Sequence, residues 1–250
     1  MSKSNRLFLV LGFFFVTNAL IAEFVGVKIF SLELSLGFEP VNWHFLGADR
    51  SFTLTAGVIL WPVVFIMTDL INEYYGKKGV RTLSYLTVVM LIYAFIMAFM
   101  AMKSTPADWW VGSKSADGIA DYGKAFNSVF GQGLSIIIGS LVAFLVGQLV
   151  DAGIFSKLKQ RTGQNLIWLR ATGSTVVSQL IDSFVVLFVA FYLGGNWTMD
   201  QIIGVGIMNY IYKLTMAIVL IPVLYGVHNI IDRYLGKELS KEMIAGAVAE

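Results

Sequence analysis

"GVILWPVVFIMTDLINEYYGKKGVR" fills residues 57–81, and its reading decides the fold. From Thr53 to Thr68 there is no charge. Then Asp69 and Glu73 stand four residues apart, on one helical face, and Lys77, Lys78 and Arg81 follow at once. Uncharged apolar sequence resumes from Thr82 to Met102. About 20 apolar residues span a bilayer core as a helix. The stretch therefore reads as one span that ends in two carboxylates, a basic turn, and a second span that faces mainly lipid.

The rest of the chain has the same character. Its 250 residues are 57% hydrophobic and 14% charged, with a mean hydropathy of +0.74. Soluble domains carry about 25% charged residues. The pattern predicts an all-α polytopic membrane protein, one membrane domain over 1–250. Six spans are expected near 7–29, 53–74, 82–102, 131–153, 171–194 and 202–226. The apolar runs are too long and continuous for the ten-residue alternating strands of a barrel. Lys3 and Arg6 before the first run resemble a secretory signal, but apolar sequence continues past Ala22 without a small-x-small site, so the run reads as a retained span.

Loop charge sets the orientation. One side collects Lys3, Arg6, Lys77, Lys78, Arg81, Lys157, Lys159, Arg161, Arg170, Arg233, Lys237 and Lys241; the other has Arg50, Lys103, Lys114 and Lys124. Both termini are expected in the cytoplasm, and loops 30–52 and 103–130 outside. In the second loop Trp109 and Trp110 read as interfacial anchors. Ile119, Tyr122, Phe126 and Val129 fall at helical spacing, as for a short amphipathic helix. Asn196-Trp-Thr198 matches a glycosylation sequon that carries little weight in a short outer loop. "LINEYYGKKG" (70–79) and "IIDRYLGKEL" (230–239) look related, each with a proline seven residues before the Asp69 or Asn229 position, as an internal repeat would give.

Composition also excludes chemistry. There are no cysteines, and His44 and His228 lie far apart. Thiolate sites, histidine metal sites and a serine–histidine triad are not expected, so no catalytic residue, metal ligand or cofactor is assigned and the chain reads as a non-enzyme. A formal charge of +2 gives no basis for a nucleic-acid partner. No phosphate-binding glycine loop is present, so the chain itself does not hydrolyse ATP.

Function is expected where polar groups are costly, inside the spans. Asn18, Glu23 and Lys28 lie in span one, with Lys28 snorkelling outward. Gln148 and Asp151 end span four; Ser174, Ser178, Gln179 and Asp182 line one face of span five; Asn209 and Lys213 share a face of span six. Glu73 and Asp151 either meet water and Lys77 or Lys157 at the inner ends, or serve the pathway. Asp182 and Lys213 form either a structural ion pair or part of a substrate site or proton path. Trp61 and Phe65 share the face of Asp69, an aromatic wall suited to a planar ring or simply to core packing. The small-residue row Gly139, Ala143, Gly147 allows close packing within the chain or in a homo-oligomer.

These segments resemble a known family. "TNALIAEFVGVK" (17–28), residues 57–81, "GQLVDAGIFSKLK" (147–159), "LRATGSTVVSQLIDSFVV" (169–186) and "NYIYKLTMAIVLIPVLYG" (209–226) are similar to the bacterial queuosine-precursor transporters, also called vitamin-uptake transporters. The resemblance covers essentially the whole chain. It implies a six-helix inner-membrane importer of 7-cyano-7-deazaguanine or its 7-aminomethyl relative, a small purine-like base. The motif positions carried over are Asn18, Asp69, Glu73, Gln148, Asp151, Arg170, Ser174, Gln179, Asp182, Asn209 and Lys213. Glu23 departs from the pattern, where a small or neutral residue is expected.

The ligand's chemistry sorts the roles. A guanine-like edge offers two parallel donors to a carboxylate, and its flat ring suits aromatic faces. Asp69 or Asp182 is expected to read that edge, with Gln179, Asn209, Lys213 and Asn18 completing the polar ring beside Trp61 and Phe65. Glu73, Gln148, Asp151, Arg170 and Glu23 are expected to gate or carry protons. The alternative is a substrate-capture subunit of an energy-coupling-factor importer, which uptake by the purified chain alone would exclude.

Overall fold

A computed structural model of the protein describes residues 1–162, 166–194 and 197–247. It is helical throughout its apolar segments. α1 (Lys3–Val25) leads to an outer platform of short pieces: β1 (Ile29–Ser31), α2 (Leu32–Ser35), β2 (Trp43–Phe45), β3 (Ala48–Arg50), β4 (Thr53–Thr55) and a 3₁₀ turn at Ala56–Ile59. Then come α3 (Trp61–Lys103), α4 (Asp108–Val111), a 3₁₀ turn at Ser115–Asp117, α5 (Tyr122–Phe130), α6 (Leu134–Thr162), α7 (Ile167–Leu187) with a π turn at Phe188–Tyr192, α8 (Met199–Val219), α9 (Ile221–Leu235) and α10 (Lys237–Gly246). Five of these segments are long and apolar enough to cross a membrane. The chain is a multi-pass, all-α membrane protein.

α3 carries the main departure from the expected spans. Its 43 residues would be ~65 Å long if straight, twice the ~30 Å hydrocarbon core. Gly76 breaks it, at φ 65° and ψ −172°, a conformation that side chains avoid. No loop separates the two legs: the helix resumes at Lys77. Lys77 and Lys78 are exposed on the second leg, where charge is compatible with helix. That leg shows a broad apolar face, including Val89, Tyr93, Ile96, Phe99 and Met100, in keeping with a lipid-facing span.

Other boundaries shift as well. α6 runs two turns past the expected 153 and takes Lys159 into the interior. The sixth apolar run, expected to 226, divides at Leu220 because Pro222 starts a new helix. α9 then ends at Gly236, at φ 89°. The first leg of α3 and α9 are thus the same device. Each opens on a residue followed by proline, runs fifteen residues from 61 or 221, and turns at a positive-φ glycine. The two meet where the Tyr74 hydroxyl donates to Asp232 Oδ1 at 2.7 Å.

α1 packs on α3, α3 on α6, α6 on α7, and α7 on α8. The core joins Leu11, Phe15, Val64, Leu70, Ile71, Phe144, Phe155 and Leu224. The small-residue row of α6 is used within the chain. A Cβ on Gly139 would lie 2.9 Å from the backbone nitrogen of Ala190, and one on Gly147 would meet Asp182 at 3.5 Å.

Two antiparallel pairs, β1 with β4 and β2 with β3, give structure to the loop expected at 30–52. Strands of three residues are too short to show alternation in sequence. The second loop does hold the amphipathic helix, α5. Trp109 is 78% exposed, and Trp110 packs on Tyr122 of α5 with ring centres 4.8 Å apart. Asn196 of the sequon lies outside the described residues.

Candidate functional site

The first leg of α3 is the spine of the site. Its polar face meets α6 through two rungs one turn apart. The Thr68 hydroxyl donates to Gln148 Oε1 at 2.7 Å, and the Asn72 amide donates to the Ala152 carbonyl at 3.1 Å. Ser156 in turn donates to Asn72 Oδ1 at 3.2 Å. Side chains at 69 and 73 turn from these rungs toward α7.

Glu73 lies at the inner end. The sequence offered water or Lys77 as its partner; the structure overturns both. Glu73 is 1% exposed and holds two buried cations. Arg170 Nη2 lies 2.9 Å from Oε1, and Lys159 Nζ lies 3.4 Å from Oε2. Lys159 also donates to the Glu73 backbone carbonyl. Arg170 donates to Thr162 Oγ1 at 3.2 Å and covers the Phe155 ring. Lys159 and Arg170, read from sequence as loop charges, thus join a buried triad. Lys159 is the member that sequence reasoning missed, because nothing near it in sequence shows that it folds inward.

Asp151 is corrected in the same way. It does not reach Lys157 or water. It is 1% exposed and accepts from the Ser178 hydroxyl at 2.8 Å. Asp182 and Lys213 do form an ion pair across α7 and α8, partly shielded from solvent.

Between these groups lies a cleft of about 450 Å³ of atom-free space, little of it wider than a water molecule. Asp69 and Phe65 enter from α3, Thr172 and Gln179 from α7, Lys213 from α8 and Ile221 from the start of α9. Its polar groups are unusual. Asp69 Oδ1, the Thr172 hydroxyl and both amide atoms of Gln179 are buried with no hydrogen-bond partner among the described residues. Native interiors leave few such groups unmet, and an unmet buried group costs about 1–3 kcal/mol. Several in one cleft mark a place where a ligand supplies the missing partners.

Other expected site residues lie elsewhere. Trp61 leans on Phe144, with ring centres 5.7 Å apart. The Asn18 amide donates to the Phe14 carbonyl at 2.8 Å, within its own helix. Asn209 is half-buried and does not line the cleft. Glu23 is buried at the outer end of α1, where its carbonyl accepts from Gln132 at 2.9 Å. Gln148 faces Thr68 rather than the cleft.

Comparison with known proteins gives a consistent result. Residues 55–227 match the family described as "Putative vitamin uptake transporter". A protein of Bacillus subtilis named "Probable queuosine precursor transporter" is 29% identical over 82% of this chain and 87% of its own. One of the same name from Haemophilus influenzae is 29% identical over 76% of each chain. The "Queuosine precursor transporter" of Escherichia coli is 24% identical over 70% of this chain and 73% of its own. No solved structure matches the chain. The family match spans more than half of the chain and covers the cleft, the buried triad and the first leg of α3, and on that basis the chain belongs to the vitamin uptake transporter family.

Proposed function

We propose that this chain imports a queuosine precursor across the inner membrane, and that the cleft binds a 7-deazaguanine base. The unmet groups carry this reading. A guanine-type edge presents a carbonyl oxygen, a ring N–H and an exocyclic amine. Gln179 matches the first two at once: its Nε2 donates to the carbonyl and its Oε1 accepts the ring N–H. Asp69 Oδ1 accepts from the amine as a charge-assisted bond. Phe65 and Pro62 supply an apolar wall. Asp69 is favoured over Asp182 because Asp182 already holds Lys213.

The orientation, with both termini in the cytoplasm, follows from the loop charges. It puts the Glu73–Arg170–Lys159 triad at the inner end as a gate. Its three charges pair with one another, although Glu73 Oε2 takes no hydrogen bond, while Asp69 in the cleft is in no ion pair among the described residues, and this pairing is what would hold the exit closed.

Binding of 7-cyano-7-deazaguanine, guanine and adenine to the purified protein tests the site. The deazaguanine is expected to bind and adenine, which lacks the ring N–H and the carbonyl, to fail. Gln179→Leu is expected to weaken binding at least about tenfold. Unchanged affinity in both Gln179→Leu and Asp69→Asn would remove the assignment.

A further inference from the structure

The helices enclose more negative than positive charge. Glu23, Asp69, Glu73, Asp151 and the partly shielded Asp182 face only Lys159, Arg170 and Lys213 among the described residues. Pairing sorts most of them. Lys213 neutralises Asp182. Glu73 takes both Arg170 and Lys159, which leaves one positive charge in surplus. Asp69 lies one turn from Glu73 on the same helix, so that surplus offsets one carboxylate there. Glu23 bonds Ser140 of α6 and lies near Asp182 rather than near Asp151.

Asp151 is left without a cation. It lies between the Thr68–Gln148 and Asn72–Ala152 rungs, at the level of Asp69, and accepts from the Ser178 hydroxyl at 2.8 Å. Asp69 of α3 is the charged group it interacts with, and Ser174 and Ser178 of α7 face it. A second uncompensated carboxylate in this dry interior costs several kcal/mol. A proton removes the cost. A metal cation is a poorer fit, since no cluster of three carboxylate or histidine side chains is found among the described residues.

We infer that the protein is a proton symporter in which Asp151 carries the transported proton and Asp69 couples it to the substrate. The inference rests on the transport reading above. Asp69 accepts from the substrate's amine best as a carboxylate. With Asp151 ionised, the two acids repel and compete for the single surplus cation. With Asp151 protonated, Asp69 keeps its charge and its free oxygen faces the ligand. Proton and base therefore promote one another's binding, and reciprocity follows from linkage. Once both leave inward, the site returns empty.

Proteoliposomes of the purified full chain, loaded with a pH dye, test this with 7-cyano-7-deazaguanine. Addition of substrate outside is expected to acidify the lumen. An imposed gradient of one pH unit, acid outside, is expected to raise accumulation toward about tenfold over equilibrium. Asp151→Asn is expected to abolish both effects while the purified variant still binds the base, because Asp151 lies outside the cleft. Accumulation driven by a sodium gradient at equal pH overturns the inference in favour of sodium. Equilibration with no proton movement overturns it in favour of facilitated diffusion. The wild-type dye measurement decides even if the variant fails to fold. Absence of any binding or uptake would instead defeat the transport reading itself.

Discussion

Two buried polar regions lie one helical turn apart on α3 and are built to opposite rules. Around Glu73, one carboxylate meets two cations, and these meet Thr162 and an aromatic ring. Around Asp69, an acid, an amide and a hydroxyl lie buried with unmet groups. Burial alone does not separate them, since Glu73 and Gln179 are each 1% exposed. Satisfaction does. A satisfied cluster stabilises one arrangement of α3, α6 and α7. An unsatisfied one costs stability and is retained where a ligand restores it.

The contrast breaks first at Arg170. Arg170→Met leaves Glu73 paired with Lys159 but takes the donor from its Oε1, and a buried charged group that loses its partner costs about 3 kcal/mol or more. A large fall in thermal stability in detergent is the expected result, and Glu73→Leu together with Lys159→Met on the same background, which leaves no charge of the triad unpaired, is expected to restore much of it. No loss in the single variant would mean that the triad contributes nothing to holding the helices.

The cleft predicts the reverse balance. Asp69→Asn is expected to cost about 1.5–3 kcal/mol of base affinity, the range for a bond to a charged group, with thermal stability of the empty protein unchanged or higher. Titration and melting of the same preparation check both. A fall in stability with affinity intact would assign Asp69 to the structural region and erase the contrast.

Much of this was legible in sequence, and the limits have physical causes. Spacing placed Asp69 with Glu73, and Gln179 with Asp182, because helical faces are local. It did not show that Arg170 and Lys159 fold onto Glu73, since those pairs join residues 97 and 86 positions apart. Basic residues after Tyr75 read as a loop; a single glycine turns the chain instead. Gly76 therefore joins the two regions to the lipid-facing leg. Gly76→Ala is expected to destabilise by about 2 kcal/mol, the scale for a side chain forced into a sparsely populated backbone region, less than Arg170→Met. A variant as stable as the parent would mean that the turn persists without glycine.

The outer platform gives the smallest effect and a pH test of the same satisfaction rule in water's reach. Glu33 Oε1 accepts the Phe52 N–H at 2.8 Å and Oε2 accepts the Ser31 hydroxyl at 3.2 Å, which ties β1 and α2 to the residue before β4. Burial opposes its charge, but these donors outweigh it and hold the carboxyl below its ordinary 4.5. A depressed acid stabilises above its unfolded value and loses that contribution as pH falls through the folded one. Hydrogen-exchange protection across 29–55 is therefore expected to be constant from neutral pH down to the ordinary carboxylate range and to fall below it, after correction for intrinsic exchange. Glu33→Gln is expected to remove the step, at a cost of about 1 kcal/mol. Because the acid here is satisfied by neutral donors and near water, its removal is tolerated where that of Arg170 is not. An unchanged step in the variant would assign the pH response to another group of the platform.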